Sequence, residues 1–209
     1  MKRQQLLNLL EAYQPTPEEM QDKKEMITFI QEHEDCFERS LQEGHVTASA
    51  WILSKDHSHA LLLHHKKLND WFQLGGHCDG NPDVLAVAIK EAQEESGIMG
   101  IEPVEVEPTT SSRAIRSERG DPVNEKNSIF DIDIHWIPER KNEKGHWHYD
   151  VRFLLHVVTD EQVVQNHESN ELRWVSKDLC DLPTTAPSVT RMFHKWLSCA
   201  DHRSDLIAL

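Results

Sequence analysis

No stretch of this chain approaches the roughly 20 consecutive apolar residues that a membrane-spanning helix needs. The start, MKRQQLLNLLEAY, is basic, but its apolar segment is short and interrupted and it lacks a small-residue cleavage site. It is therefore not read as a signal peptide. Basic residues are scarce: 22 Lys and Arg stand against 36 Asp and Glu, for a formal net charge of −14. A nucleic-acid binder or an anionic-membrane binder needs a basic footprint, so this balance argues against both. It does not exclude a small phosphorylated substrate, which a metal ion and a few local Arg or Lys residues can bind. The four cysteines (Cys36, Cys78, Cys180 and Cys199) are scattered, with no C-x-x-C. They are expected to be free thiols in a reducing cytosol, which predicts a cytoplasmic protein. There is no internal repeat and no low-complexity segment. What remains, 209 residues with 38% hydrophobic and 28% charged, suits one well-buried domain plus an extension.

The rest of the chain is organised around Gly75–Ile98, GGHCDGNPDVLAVAIKEAQEESGI. A Gly-Gly turn is expected to lead into a helix of about fourteen residues. Asn81 is expected to cap its start, with Pro82 at the first helical position, and Gly97 to take the left-handed position past its end. At 3.6 residues per turn, Glu91, Glu94 and Glu95 share one narrow stripe, while Leu85, Ala88, Ile89 and Ala92 form a second, suited to packing on a sheet. The three carboxylates repel one another by roughly 0.2–0.5 kcal/mol per helical pair, so a positive charge among them would be favourable. Hard divalent cations take such oxygen ligands, together with substrate phosphate oxygens. The alternative is a solvated helix face, as charge runs usually are.

This stretch resembles the Nudix box of the Nudix hydrolases: Gly, five residues, Glu, seven residues, then Arg-Glu-apolar-x-Glu-Glu-x-Gly-apolar. Gly76 begins it, and Lys90-Glu91-Ala92-Gln93-Glu94-Glu95-Ser96-Gly97-Ile98 ends it with the family's spacing. Two positions depart: Pro82 stands where the family has Glu, and Lys90 where it has Arg. In the family those two side chains help brace the helix, and Lys lacks the bidentate fork of Arg. The GGHCDG turn, the Asp-Ile-His-x-Ile-Pro strand and the His-x-His-Tyr-Asp-x-Arg-Phe strand are also similar to one branch of the family. The resemblance implies an α+β fold, a Nudix-type α/β/α sandwich around a mixed β-sheet. It implies metal ligation by Gly75 (through its carbonyl), Glu91, Glu94 and Glu95 with Mg²⁺ or Mn²⁺. A further catalytic acid from a late loop would be Glu168 or Glu171. It also implies a pyrophosphohydrolase acting on a small nucleotide-derived substrate.

Residues 1–44 are read as a helical extension, 45–198 as the catalytic domain and 199–209 as a polar tail. Leu6, Leu7, Leu9 and Leu10 mark a short helix that Pro15 and Pro17 break. A second, with Met20, Met26, Ile27, Ile30 and Phe37 as its stripe, runs toward Gly44. Its spare apolar surface makes a homodimer the expectation. From His45 the period changes to two, with His45, Thr47, Ser49 and Trp51 on one face of a strand and Val46, Ala48, Ala50 and Ile52 on the other. Ala60–His64, Trp71–Leu74, Ile101–Pro108 and Glu171–Val175 are further strands, Thr109–Lys126 a long loop, and Pro187–Leu197 a helix with Val189, Met192, Phe193 and Trp196 on one stripe.

Ile129–Ile137 and His148–Val158 are the clearest strands and are expected to pair antiparallel. Each has one apolar face and one polar face: Asp131, Asp133 and His135 on the first, His146, His148, Asp150 and Arg152 on the second. Such a face can be a substrate-pocket wall, a half-exposed sheet surface, or a transition-metal site built from His-x-His-x-Asp. It is read here as a pocket wall, with His135, His148, Asp150 and Arg152, and Arg113 and Arg116 from the long loop, contacting substrate. Two competing readings are a non-catalytic nucleotide-binding Nudix domain, suggested by Pro82 and Lys90, and a transition-metal enzyme using His146, His148 and Asp150. A third, isoprenoid diphosphate isomerisation, needs a catalytic Cys, and only Cys78 in the glycine turn offers one.

Overall fold

The computed structural model describes residues 3–104, 128–140, 144–165 and 169–204. Two helices come first, α1 (Gln4–Ala12) and α2 (Met20–Glu32). Pro15 and Pro17 separate them, and a single 3₁₀ turn, Pro17–Glu19, starts the second. There the Thr16 backbone N–H donates to Glu19 Oε2 at 2.8 Å, satisfying one donor at the helix start. Leu6, Leu10, Met26 and Ile30 are fully buried; Met20, expected on the same stripe, is exposed.

Eight strands form one mixed sheet. β1 (Gly44–Leu53) lies at its centre. It pairs in parallel with β7 (His146–Val157) over its whole length, from Gly44 opposite Trp147 to Leu53 opposite His156. On its other edge β1 meets β4 (Leu74–His77) along its middle, from Thr47 to Ala50, and β2 (His59–His65) at its end, both antiparallel. β3 (Asp70–Phe72) and β8 (Ser169–Ser176) pair with β2, and β5 (Ile101–Pro103) and β6 (Asp131–Ile137) with β7, all antiparallel. The expected β6–β7 pair is therefore present.

Strand alternation divides the core. Val46, Ala48, Ala50, Ile52, Val151, Phe153 and Ile132 face one way and pack with α1, α2 and the apolar stripe of α3 (Val84–Ser96). On the opposite face Trp51, Leu53, Ala60 and Leu62 pack with Val189, Met192, Phe193 and Trp196 of α4 (Pro187–Ser204). The sheet is thus sandwiched between helices, in the α/β/α arrangement expected. The remainder of that second face is polar.

Three local expectations need correction. Gly75 and Gly76 are strand residues of β4, not a turn; Gly75 lies opposite Ser49 and Gly76 opposite Ala48. The turn falls later, at Asp79 and Gly80, both with positive φ. The cap of α3 is Asp83, whose carboxylate accepts from the Ala86 N–H at 3.0 Å, so Pro82 precedes the helix; Asn81 instead accepts from the Asp83 N–H. α4 continues past Leu197 into the expected tail, with neither Gly nor Pro there to stop it. Of the expected strand Ile101–Pro108, β5 is present and residues 105–108 lie outside the described residues. Gly97 does end α3 in the left-handed conformation, φ 75°, its N–H donating to the Gln93 carbonyl.

Candidate active site

α3 brings Glu91 and Glu95 against the β4 glycines. Glu95 Oε2 accepts from the Gly75 N–H at 2.8 Å. Glu91 is only 20% exposed at its side chain and lies directly over Gly76, where a Cβ would collide with its carboxylate. The two glycines therefore serve close approach rather than a bend: Gly76 makes room for Glu91, and Gly75 for Ser49 of β1. Glu94 is more exposed. Lys90 Nζ lies between two of the three acids, donating to Glu91 Oε1 at 3.1 Å and to Glu94 Oε2 at 2.8 Å. These two carboxylates raise the Lys90 pKa. The repulsion anticipated from the helical spacing is thus relieved between Glu91 and Glu94 by the Lys90 ammonium. Carboxylate oxygens gathered around a positive charge fit a hard divalent ion.

The polar half of the sheet is a lattice of rows across β4, β1, β7 and β6. His45, His148 and His135 form one row; His77, Thr47, Asp150 and Asp133 the next; Gly75, Ser49, Arg152 and Asp131 a third. The expected polar wall is present, but its residues differ in availability. Arg152 is 2% exposed and fully engaged by carboxylates: Asp150 at 2.7 Å, Asp131 at 3.0 Å and Asp133 at 3.2 Å. Asp150 in turn accepts from Thr47, Ser49 and Gln73. The expectation that Arg152 and Asp150 contact substrate directly is corrected on this geometry: both are internal supports, because a buried guanidinium already paired with three carboxylates has no face left for phosphate. The same geometry separates Asp150 from His146 and His148 as a metal-ligand set.

His148 and His135 stand at the more open end of the wall. Burial, followed by the neighbouring His77, His135 and His45, holds His148 down to about 2. Burial, followed by Arg39 and His45, holds His77 down to about 4. Both rings are therefore neutral at neutral pH. Cys78 is buried, and burial pushes its thiol up, which leaves it a packing residue unsuited to proton transfer. Arg113, Arg116 and Glu168 lie outside the described residues; Glu171 is an exposed residue of β8, opposite His64.

Sequence reasoning missed two groups. His45 and His77 join the histidine end of the wall, a grouping visible only once β1 is known to lie between β4 and β7. Arg191 and Lys195 of α4 reach the β6 acids: Arg191 binds Asp131 at 2.9 Å and Asp133 at 3.1 Å, and Lys195 binds Asp131 at 2.7 Å and the fully buried Glu19 at 2.6 Å. A cavity of about 970 Å³ beside this second group, lined by Tyr13, Pro17, Val104, Phe130, Arg191 and Lys195 among others, touches none of the α3 glutamates.

No described helix is long and apolar enough to cross a membrane. No curated protein matches the chain. Among solved structures, a NUDIX-family hydrolase from Clostridium perfringens is 26% identical, covering 73% of this chain and 95% of its own, with a TM-score of 0.51. A MutT NUDIX hydrolase from Burkholderia pseudomallei is 20% identical over 73% of this chain and 97% of its own, TM-score 0.47. A C. elegans Ap4A hydrolase binary complex is 15% identical over 75% and 98%, TM-score 0.47. The sequence itself matches the NUDIX domain over residues 43–197. That span covers the central sheet, the paired glycines and the acidic helix, and with it the chain belongs to the NUDIX family of hydrolases.

Proposed function

We propose that the protein cleaves the pyrophosphate bond of a nucleoside diphosphate linked to another moiety, with Glu91, Glu94, Glu95 and the Gly75 carbonyl holding Mg²⁺ or Mn²⁺. The observation that carries this reading is the packing of Glu91 and Glu95 against two Cβ-less strand residues, with Glu91 and Glu94 sharing a lysine ammonium. When bound, the cation supplies charge neutralisation for the diphosphate and a lowered pKa for a coordinated water. Glu91, packed over Gly76, would orient the attacking water or take its proton. The water attacks phosphorus in line, and the leaving group departs as phosphate or nucleotide. Glu95 is fixed by its bond from the Gly75 N–H and keeps the acidic set in register with β4. With Arg152 internal, Lys90 is the cation bonded to these acids among the described residues, and Arg39 pairs with Asp79 of the turn. Arg113 and Arg116 remain candidates for the phosphates, Glu168 for the further acid, and His135 and His148 for the base or sugar. We place the protein in the cytoplasm on its scattered cysteines without a C-x-x-C, with residues 1–44 as an extension that can carry a homodimer contact.

The test is release of phosphate or nucleotide from nucleoside diphosphate sugars, dinucleoside polyphosphates, NADH and nucleoside triphosphates, with Mg²⁺ and with Mn²⁺. Turnover of at least one is expected, abolished by chelator and lowered roughly 10²–10⁴-fold in Glu91→Gln. Turnover that survives both Glu94→Gln and Glu95→Gln would remove the assigned site. Ligand binding with no release from any member of the panel would favour a non-catalytic nucleotide-binding role.

A further inference from the structure

The histidine end of the polar wall is set apart from the α3 carboxylates in both chemistry and construction. We infer that His45, His146 and His148 form a second metal site, a nitrogen-donor tripod for a zinc-class first-row transition ion.

The geometry starts with adjacency. His45 of β1 is the direct parallel partner of His148 of β7, and His146 lies two residues before His148 on the same strand face. One ring nitrogen from each residue can be chosen so that the three lie within 4.8 Å of one another, with His45 and His146 buried. His146 Nε2 and His148 Nε2 are already 3.1 Å apart. Around a tetrahedral ion with bonds of roughly 2.0–2.1 Å, ligand nitrogens sit about 3.3–3.4 Å apart. Binding would draw the three nitrogens, now within 4.8 Å, to that spacing.

Tautomers point the same way. His146 Nδ1 is 2.9 Å from the Lys144 carbonyl oxygen. A carbonyl can only accept, so Nδ1 carries the proton and Nε2 presents its lone pair toward His148. Metal-bound histidines are oriented by just such an outer hydrogen bond to a carbonyl or carboxylate. His135 repeats the device, its Nδ1 donating to Asp133 Oδ2 at 3.0 Å, with its ring 5.4 Å from that of His148. In the metal-free chain the His146–His148 contact is a hydrogen bond. An ion takes the place of the shared proton, and His148 adopts its Nδ1–H tautomer. His77, 5.0 Å from His148 between ring centroids, borders the fourth side, where water or a substrate atom would complete the shell.

Nitrogen donors discriminate between ions. Imidazole suits zinc, copper, iron and nickel, whereas Mg²⁺ takes oxygen. The expectation formed on β6 and β7 alone, a pocket wall without a second metal, omitted His45, and its candidate third ligand was Asp150, which the structure commits to Arg152, Thr47 and Ser49.

The experiment uses the full chain without an affinity tag, stripped of metal and titrated with Zn²⁺ alone and Co²⁺ alone in excess Mg²⁺. Stoichiometric Zn²⁺ retention and a four-coordinate Co²⁺ absorption spectrum are expected. Both should be lost in His146→Gln and in His45→Ala, and kept in His59→Ala and in the Glu94→Gln/Glu95→Gln double variant. That double variant separates failure of this site from failure of the hydrolase reading. Imidazole ¹⁵N spectra of the wild type locate the ion without any substitution: Nε2 of His146 should shift on Zn²⁺ addition while its Nδ1 stays protonated. A folded wild type that retains no Zn²⁺ or Co²⁺, Zn²⁺-induced shifts confined to other histidines, or retention unchanged in folded His146→Gln would each overturn the proposal.

Discussion

Gly75 and Gly76 are neighbours in one strand, yet they answer to different constraints. A Cβ at Gly76 would meet the far end of the Glu91 side chain, which can swing away; at Gly75 it would meet Ser49 and the backbone of Ala48, which cannot. Gly76→Ala is therefore expected to retain most of the protein's stability while displacing Glu91 and depressing turnover. Gly75→Ala should lose roughly 1–3 kcal/mol of stability through overpacking. Thermal unfolding beside a turnover assay distinguishes the two. Lys90 invites a complementary test. Its removal in Lys90→Ala takes away an i,i+4 pair that contributes about 0.3–0.5 kcal/mol and leaves Glu91 and Glu94 without that ammonium. The midpoint of thermal unfolding should then rise more on Mg²⁺ addition than it does in the wild type. At this scale the glutamate stripe was legible because helical periodicity is a local property. Glu91, Glu94 and Glu95 are four residues or fewer apart. His45 was not legible as a neighbour of His148, because nothing within a single strand states which strand lies beside it.

Secondary-structure elements show the same divide. The β6–β7 pair was readable, since two strands with matching polar and apolar alternation and a short hydrophilic connection pair most simply as neighbours. The parallel β1–β7 pairing was not, because it joins segments with five other strands and a helix between them in sequence. β4 was misread for a different reason: glycine favours turns in general, and only the closeness of Ser49 and Glu91 explains two of them inside a strand. The N-terminal helices were legible as helices, but their integration was not. Phe29 of α2 stacks on Tyr149 of β7 with ring centroids 3.8 Å apart and planes 7° from parallel. Leu6, Leu10, Met26 and Ile30 belong to the same buried cluster as Ala48 and Val151. Phe29→Ala should accordingly lose about 3–5 kcal/mol, measured by chemical denaturation. A chain lacking residues 1–42 should fail to give a soluble, cooperatively unfolding domain.

Across the molecule, one buried ionic chain ties the first helices, the sheet and the last helix together. Tyr13 and Lys195 both donate to Glu19 Oε1 at 2.6 Å, Lys195 passes to Asp131, and Arg191 and Arg152 extend the chain to Asp133 and Asp150. Burial alone would raise the Glu19 pKa, but bonds from Lys195, Tyr13 and the Thr16 and Ile132 backbones prevail and lower it from 4.5 to about 2. A depressed carboxylate contributes stability that is complete above its unfolded pKa and lost as pH falls through the folded one. Unfolding midpoints should therefore decline between pH 4.5 and about 2, with Glu19 accounting for on the order of 3 kcal/mol while facing Tyr13, Lys195, Arg191 and Asp131. Glu19→Gln should flatten that decline. Lys195→Met, which leaves Glu19 and Asp131 buried with one partner fewer, should lose about 3–5 kcal/mol at neutral pH. The parallel partnership of β1 and β7 carries a consequence for biosynthesis. Gly44 lies opposite Trp147, so 103 residues separate the two in sequence. At ribosomal speeds of about 5–20 residues per second, β1 waits roughly 5–20 seconds for its companion to be made. During that interval the middle of the future sheet has one flank unpaired, and nascent chains ending before His146 should stay open to proteases and attractive to holding chaperones.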